Sequence, residues 1–364
     1  TSAREAMARL RAEGDPDDLP VWVGELYLEL HRGTYTTMAD IKRGNRELEG
    51  ALRHVELWSL AASTLADRPV PAAEIDDAWR TLLLHQFHDI LPGSSIRWVH
   101  QDTVDAHDRL RQVTDALIAD AVDAFAGLVD TDGAARPVLV LNGLGVDRDE
   151  LVEVDGSLHR VAVPSCGWAV LDLDRPARGG PTPVTAGDRW MANGHLRVEW
   201  DDQGLVRSVL HLPSGREVVP PGSAVNVLQL LEDTPREWDA WDIDREAMST
   251  AVDLVDAEVV ELVESTPQRA TLRIVRSFGR SRVEQRVQLV EGSRRLDVHC
   301  EIDWHEDHRL LKVAFTVDVR ATAARHEIQF GHVERPTHRN TSWDAARLET
   351  RAHGILPRFT SRHG

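Results

Sequence analysis

Residues 71–93 read PAAEIDDAWRTLLLHQFHDILPG, and the rest of the chain is parsed outward from them. The run from Ala72 to Ile90 predicts a helix. Pro71 leads it in with a backbone angle suited to a first helical turn, and Leu91-Pro92-Gly93 stops it. On the N-terminal side, Leu48, Leu52, Val55 and Leu60 recur at helical spacing. On the C-terminal side, Leu110, Val113, Leu117, Ala121 and Ala124 do the same. Three long helices with short connections over residues 37–130 imply a three-helix bundle packed on a common apolar seam.

Two other textures flank this region. Residues 1–36 are short and mixed: a helical piece, the turn-rich Gly14-Asp15-Pro16-Asp17-Asp18, then a strand. From Pro137 onward the pattern is β. Residues 138–141, 205–212, 270–277, 283–290 and 310–319 form short apolar runs between turn clusters such as Pro213-Ser214-Gly215 and Glu291-Gly292-Ser293. Strands in series without intervening helices imply a large antiparallel β-sandwich over residues 137–364. The expected fold class is therefore α+β and multidomain.

Composition narrows the function classes. The chain is 42% hydrophobic and 28% charged, as in ordinary globular proteins. A net charge of −18 repels nucleic acid and anionic membrane, so neither is expected as a partner. No apolar run approaches the ~20 residues of a membrane span. Lysine occurs only at Lys42 and Lys312 among the 42 basic residues. Cys166 and Cys300 lie in separate strand-like segments without metal-type spacing, which favours two reduced thiols in a cytoplasmic protein. Nothing bars a homo-oligomer.

Two constellations carry chemistry. In residues 21–33, VWVGELYLELHRG, strand alternation puts Glu25, Tyr27, Glu29 and His31 on one face and Leu26, Leu28 and Leu30 on the other. Like-facing groups then stand roughly 7 Å apart. Carboxylates so placed suit acid/base work on sugars, and a phenol and an imidazole suit hydroxyl recognition. The same pattern also suits an amphipathic edge strand with a solvated polar face. In residues 85–95, HQFHDILPGSS, His85 and His88 are one helical turn apart with Asp89 adjacent. An imidazole at a helix end is a candidate Zn²⁺ ligand, yet zinc wants about four ligands, and two histidines there also serve as capping or surface residues.

Taken together, residues 24–37 (GELYLELHRGTYTT), 42–46 (KRGNR), 85–95, Glu232-Asp233 with Trp238-Asp239-Ala240-Trp241-Asp242, and 334–344 (ERPTHRNTSWD) resemble glycoside hydrolase family 38, the class II α-mannosidases. Several motifs in the right order make the resemblance specific, and it runs from Val21 to about His353.

The resemblance implies a retaining, zinc-dependent α-mannosidase that hydrolyses terminal α-mannosyl residues of mannose-containing oligosaccharides. It implies three parts: 1–36 as the end of a (β/α) catalytic barrel, 37–130 as the three-helix middle domain, and 137–364 as a β-sandwich shortened at its C-terminus. His88 would be a zinc ligand, and Asp89 would contact sugar hydroxyls, with Tyr27 and His31 beside the substrate. Glu25, and after it Glu29, are the acid/base candidates, with Asp17 and Asp18 possible by position. The barrel's His-x-Asp motif and its Asp nucleophile have no counterpart here, so the zinc site is expected to be incomplete and the chain alone inactive. The rival expectation is a non-catalytic carbohydrate-binding or scaffold protein built from the same bundle and sandwich.

Overall fold

The structure, a computed structural model, describes residues 2–13, 31–175, 179–180, 182–328, 331–338 and 340. Helix α1 (Ala3–Glu13) is exposed along its length. Ser2 and Glu5 close its start, each side chain accepting from the other's backbone N–H at 3.3 and 2.9 Å. Helices α2 (Ala39–Ala66), α3 (Ala72–Leu84) and α4 (Arg97–Ala126) then follow.

Leu48 and Leu52 from α2, Ala78 and Leu82 from α3, and Leu110 from α4 close one apolar cluster, with Trp79 against it. Leu48, Leu52 and Leu82 are wholly buried. Truncating any of them to alanine would cost about 2–5 kcal/mol. Leu60 departs from the expected seam and is 61% exposed. The buried stripe continues through Trp58, Ser59 and Ala62 instead, which turns Leu60 outward. Val113 likewise faces solvent.

A second cluster joins the helices to the β region. Trp58, Ala62, Ala121 and Phe125 pack with Leu139 and Leu141 of β1 (Pro137–Asn142). Between β1 and its partner come β2 (Arg148–Val154) and β3 (Ser157–Val163), an antiparallel hairpin. The partner is β4 (Gly167–Asp172), which pairs antiparallel with β1 and brings Trp168 within 5.4 Å of Phe125.

Beyond these, β5 (Thr185–Gly187), β6 (Trp190–Ala192), β7 (Leu196–Trp200), β8 (Val206–His211), β9 (Arg216–Glu217), β10 (Val225–Glu232) and β11 (Val252–Asp253) build a larger antiparallel sheet. A second sheet runs in sequence order through β12 (Val259–Ser265), β13 (Arg269–Phe278), β14 (Ser281–Val290) and β15 (Leu296–Asp303). Strand β16 (Arg309–Phe315) returns to pair with β10, and β17 (Ala323–Ile328) and β18 (Gly331–Pro336) form a hairpin. In β14 every second residue, including Val283, Gln285, Val287 and Leu289, is buried, as the strand period requires. Met191, Val198, Trp200 and Val206 of the larger sheet share one core with Leu272, Ile274, Val287 and Leu289 of the second. The chain is thus a helical region followed by antiparallel sheets.

The expected helix over residues 72–90 ends early, at Leu84. After it, Gln86 N–H and Phe87 N–H reach back three residues, to the carbonyls of Leu83 and Leu84. The side chains explain the break. Gln86 turns to α2, donating to Asn45 Oδ1 at 3.0 Å and Glu49 Oε1 at 2.9 Å, whereas His85 turns to Thr103 on α4. Continuing the helix would carry these groups away from their partners.

Candidate functional site

Three segments that are distant in sequence meet at Thr37: residues 31–38, the turn at 85–95, and the connection between β10 and β11. Thr37 Oγ1 lies 2.8 Å from Gly33 O and 3.1 Å from Ala240 O. Its carbonyl accepts from Lys42 Nζ at 2.5 Å. The same ammonium donates to Leu91 O and Pro92 O, both at 3.0 Å. Burial lowers this lysine from its ordinary value to about 8.

Glycines allow the close approaches. Gly33 N–H donates to Trp241 O at 2.9 Å, and a Cβ on Gly33 would stand 3.0 Å from Asp242 O. Gly93 sits at φ +83°, and its Cβ would come within 2.7 Å of Thr37 O. Arg32 pairs with Asp242 at 3.5 Å, and His31 meets Trp241 edge to face at 5.0 Å. His31 Nδ1 is buried without a hydrogen-bond partner among the described residues.

The expected site residues fall as follows. Glu25, Tyr27 and Glu29, with Asp17 and Asp18, lie outside the described residues. His31 is brought to the convergence point. His88 is exposed on the turn, its ring 4.1 Å from that of Phe87 and its Nε2 3.5 Å from Asp89 Oδ2. Asp89 is half-buried. Its Oδ1 accepts from Ser94 Oγ at 3.1 Å, and its carbonyl accepts from Ser95 Oγ at 2.7 Å. Ser94 orients the carboxylate, leaving its Oδ2 toward His88, and Ser95 fixes the Asp89 backbone.

His85 and His88 do not share a helix face, contrary to the one-turn spacing expected of them, because α3 has already ended. His85 Nδ1 lies 3.1 Å from Thr103 Oγ1, and its ring is 5.9 Å from that of His107. Burial lowers the His85 imidazole below its usual range, and Arg109 adds to this. His107 is wholly enclosed and is lowered to about 4, first by burial and then by His85 and Arg111.

Among the described residues, no three His, Cys, Asp or Glu side chains gather as a metal site. His88 and Asp89 supply one imidazole and one carboxylate, and the described residues alone do not fit a four-ligand zinc ion. Cys166 is exposed and Cys300 buried, both free. Among the described residues no helix is long and apolar enough to cross a membrane. Sequence reasoning missed the role of Lys42, although its rarity in an arginine-rich chain was a signal. It also missed Thr37, for which composition and period carry none.

Comparison with known proteins agrees with this layout. Residues 29–125 match the "Alpha mannosidase middle domain", and residues 191–361 match the "Glycosyl hydrolases family 38 C-terminal domain". The chain therefore belongs to the family 38 glycosyl hydrolases, matching their middle and C-terminal domains. It is 38% identical to human "Alpha-mannosidase 2C1" over 382 aligned residues, covering all of this chain and 36% of that protein. It is 29% identical to "Alpha-mannosidase G" of Dictyostelium discoideum, covering 91% of this chain and 36% of that one. The crystal structure of an α-mannosidase from Enterococcus faecalis V583 shares the fold, with a TM-score of 0.75 at 16% identity, over 92% of this chain and 49% of that one. The chain thus spans about a third of the length of the curated relatives it matches.

Proposed function

We propose that this chain is part of a zinc-dependent, retaining α-mannosidase that removes terminal α-mannosyl residues from oligosaccharides. The observation that carries the proposal is the pair of domain matches, in order, to the mannosidase middle and C-terminal domains. On this reading residues 1–36 end a catalytic barrel, residues 37–130 are a three-helix middle domain, and residues 137–364 are the β-sandwich domain. His88 offers an exposed imidazole as one ligand of a zinc ion completed by residues outside the described ones. Asp89, its carboxylate oriented by Ser94 and its backbone held by Ser95, accepts hydrogen bonds from sugar hydroxyls. His31 approaches the sugar from the neighbouring segment, with Tyr27, and Glu25 or Glu29 handles the proton. The chain alone is inactive, because the nucleophile of the covalent route belongs to the barrel.

The test compares a gene product that includes upstream coding sequence with the 364-residue chain, on an aryl α-mannoside with added zinc. Turnover is expected only from the longer protein, and Asp89→Ala should lower it at least about 100-fold, as lost substrate-orienting contacts do. A longer protein that binds mannosides without cleaving them would replace this reading with a carbohydrate-binding one. Turnover by the 364-residue chain would overturn the assigned division of labour.

A further inference from the structure

We propose that Lys42 is a positioning residue, the clamp that holds the His88–Asp89 turn in its presenting geometry. The inference rests on the reading of His88 and Asp89 as functional groups. An ammonium has three N–H donors, and Lys42 places them on three carbonyls: Thr37, Leu91 and Pro92. Those carbonyls come from the two segments that meet at the site. Without a cation between them, three oxygen dipoles would point at one another across a partly buried gap.

Helix α2 grips the turn twice. Lys42 holds residues 91 and 92, and Asn45, one helical turn further on, takes Gln86 together with Glu49. His88 and Asp89 lie between these two anchors. The turn's own bonds are few: Ile90 and Leu91 N–H to Phe87 O, Gly93 N–H to Ile90 O, and the two serines on Asp89. They shape the turn locally but do not attach it to the rest of the molecule. Gly93 shows how close the attachment is, since a single Cβ there would strike Thr37 O. Lys42 touches neither His88 nor Asp89, so its effect is on their placement rather than on the chemistry.

The test uses the 364-residue chain with Cys166→Ser, because Cys166 is an exposed thiol and Cys300 a buried one. Lys42→Cys is introduced, then alkylated with 2-bromoethylamine to restore an ammonium at nearly the original reach. Two readouts are taken: amide exchange at Leu91 and Gly93, and the ring-proton shifts of His88, which the Phe87 ring 4.1 Å away displaces. Lys42→Cys is expected to speed exchange at Leu91 and Gly93 about 10-fold and to move the His88 resonances toward free imidazole. Aminoethylation should reverse both, while amides of Leu48, Leu52 and Leu110 stay protected throughout. Unchanged turn amides in Lys42→Cys would overturn the proposal. So would loss that aminoethylation fails to restore, or loss that extends to the helical core, which would make Lys42 a general determinant of folding. None of these readouts depends on hydrolysis. A clamp that passes beside a longer protein inert to α-mannosides would keep Lys42's role and remove only the hydrolase reading.

Discussion

The Arg32 guanidinium stands 3.5 Å from the Asp242 carboxylate, with each side chain only 12% exposed. This pair fastens residues 31–38 to the β10–β11 connection, beside the Gly33 N–H bond to Trp241 O. Removing one partner of a poorly solvated pair takes away Coulombic support that little water replaces. Asp242→Ala should therefore destabilise the chain by roughly 2 kcal/mol, less than a deeply buried pair because some solvent remains. Asp242→Asn should cost less, since Asp242 Oδ1 also accepts from Ile243 N–H at 2.9 Å and an amide oxygen can replace it there. Urea denaturation of both variants, with proteolysis near residue 31 as a local probe, checks the order.

Gly93→Ala should displace the site turn. The position combines φ +83° with a Cβ that would sit 2.7 Å from Thr37 O. Left-handed strain on a non-glycine residue costs about 1–3 kcal/mol, and the backbone clash adds to it. A loss of at least about 1 kcal/mol in chemical denaturation is expected. A variant as stable as the parent would mean that the turn moves freely.

His107 makes the helical region sensitive to acid. In the unfolded chain it titrates near 6.5, and in the fold near 4, because it is buried beside His85 and Arg111, with only Asp108 opposing. Between those values the unfolded state holds more protons, so stability rises with pH across that window. The contribution is complete above pH 6.5 and is lost as pH falls toward 4. His107→Gln should flatten the denaturation midpoint over this range. An unchanged slope would place the acid sensitivity elsewhere.

Much of the β region was legible because its strands obey their period. Residues 283–290 became β14 with its alternating burial, and residues 270–277 became β13, which is buried along most of its length and shares one core with β14. The helices were legible to within the stripe that Leu48 and Leu52 define. The end of α3 was not, because it is set by Gln86 reaching Asn45 and His85 reaching Thr103, contacts that a local pattern does not contain. The convergence on Thr37 was hidden for the same reason. Its partners, Ala240 O and Lys42 Nζ, are a backbone atom and a side chain whose meeting depends on the packing of three segments.

His85 and His88 should separate by variant, because the early helix end gives them different surroundings. His88 is exposed and touches only its neighbours Phe87 and Asp89 among the described contacts. His88→Ala should leave stability within about 0.5 kcal/mol. His85→Ala removes the bond to Thr103 and the contact with His107, and should cost about 1–2 kcal/mol. Zinc binding should reverse the order. The chain alone should bind zinc weakly, and His88→Ala should abolish what remains. His85→Ala should weaken it less, through the turn, because its ring faces α4. Calorimetric zinc titration and urea denaturation of both variants provide the measurements. A tight stoichiometric zinc site in the unaltered chain would show that other residues complete it. Zinc binding lost in His85→Ala but kept in His88→Ala would assign the ligand to the half-buried His85 and its neighbour His107 instead.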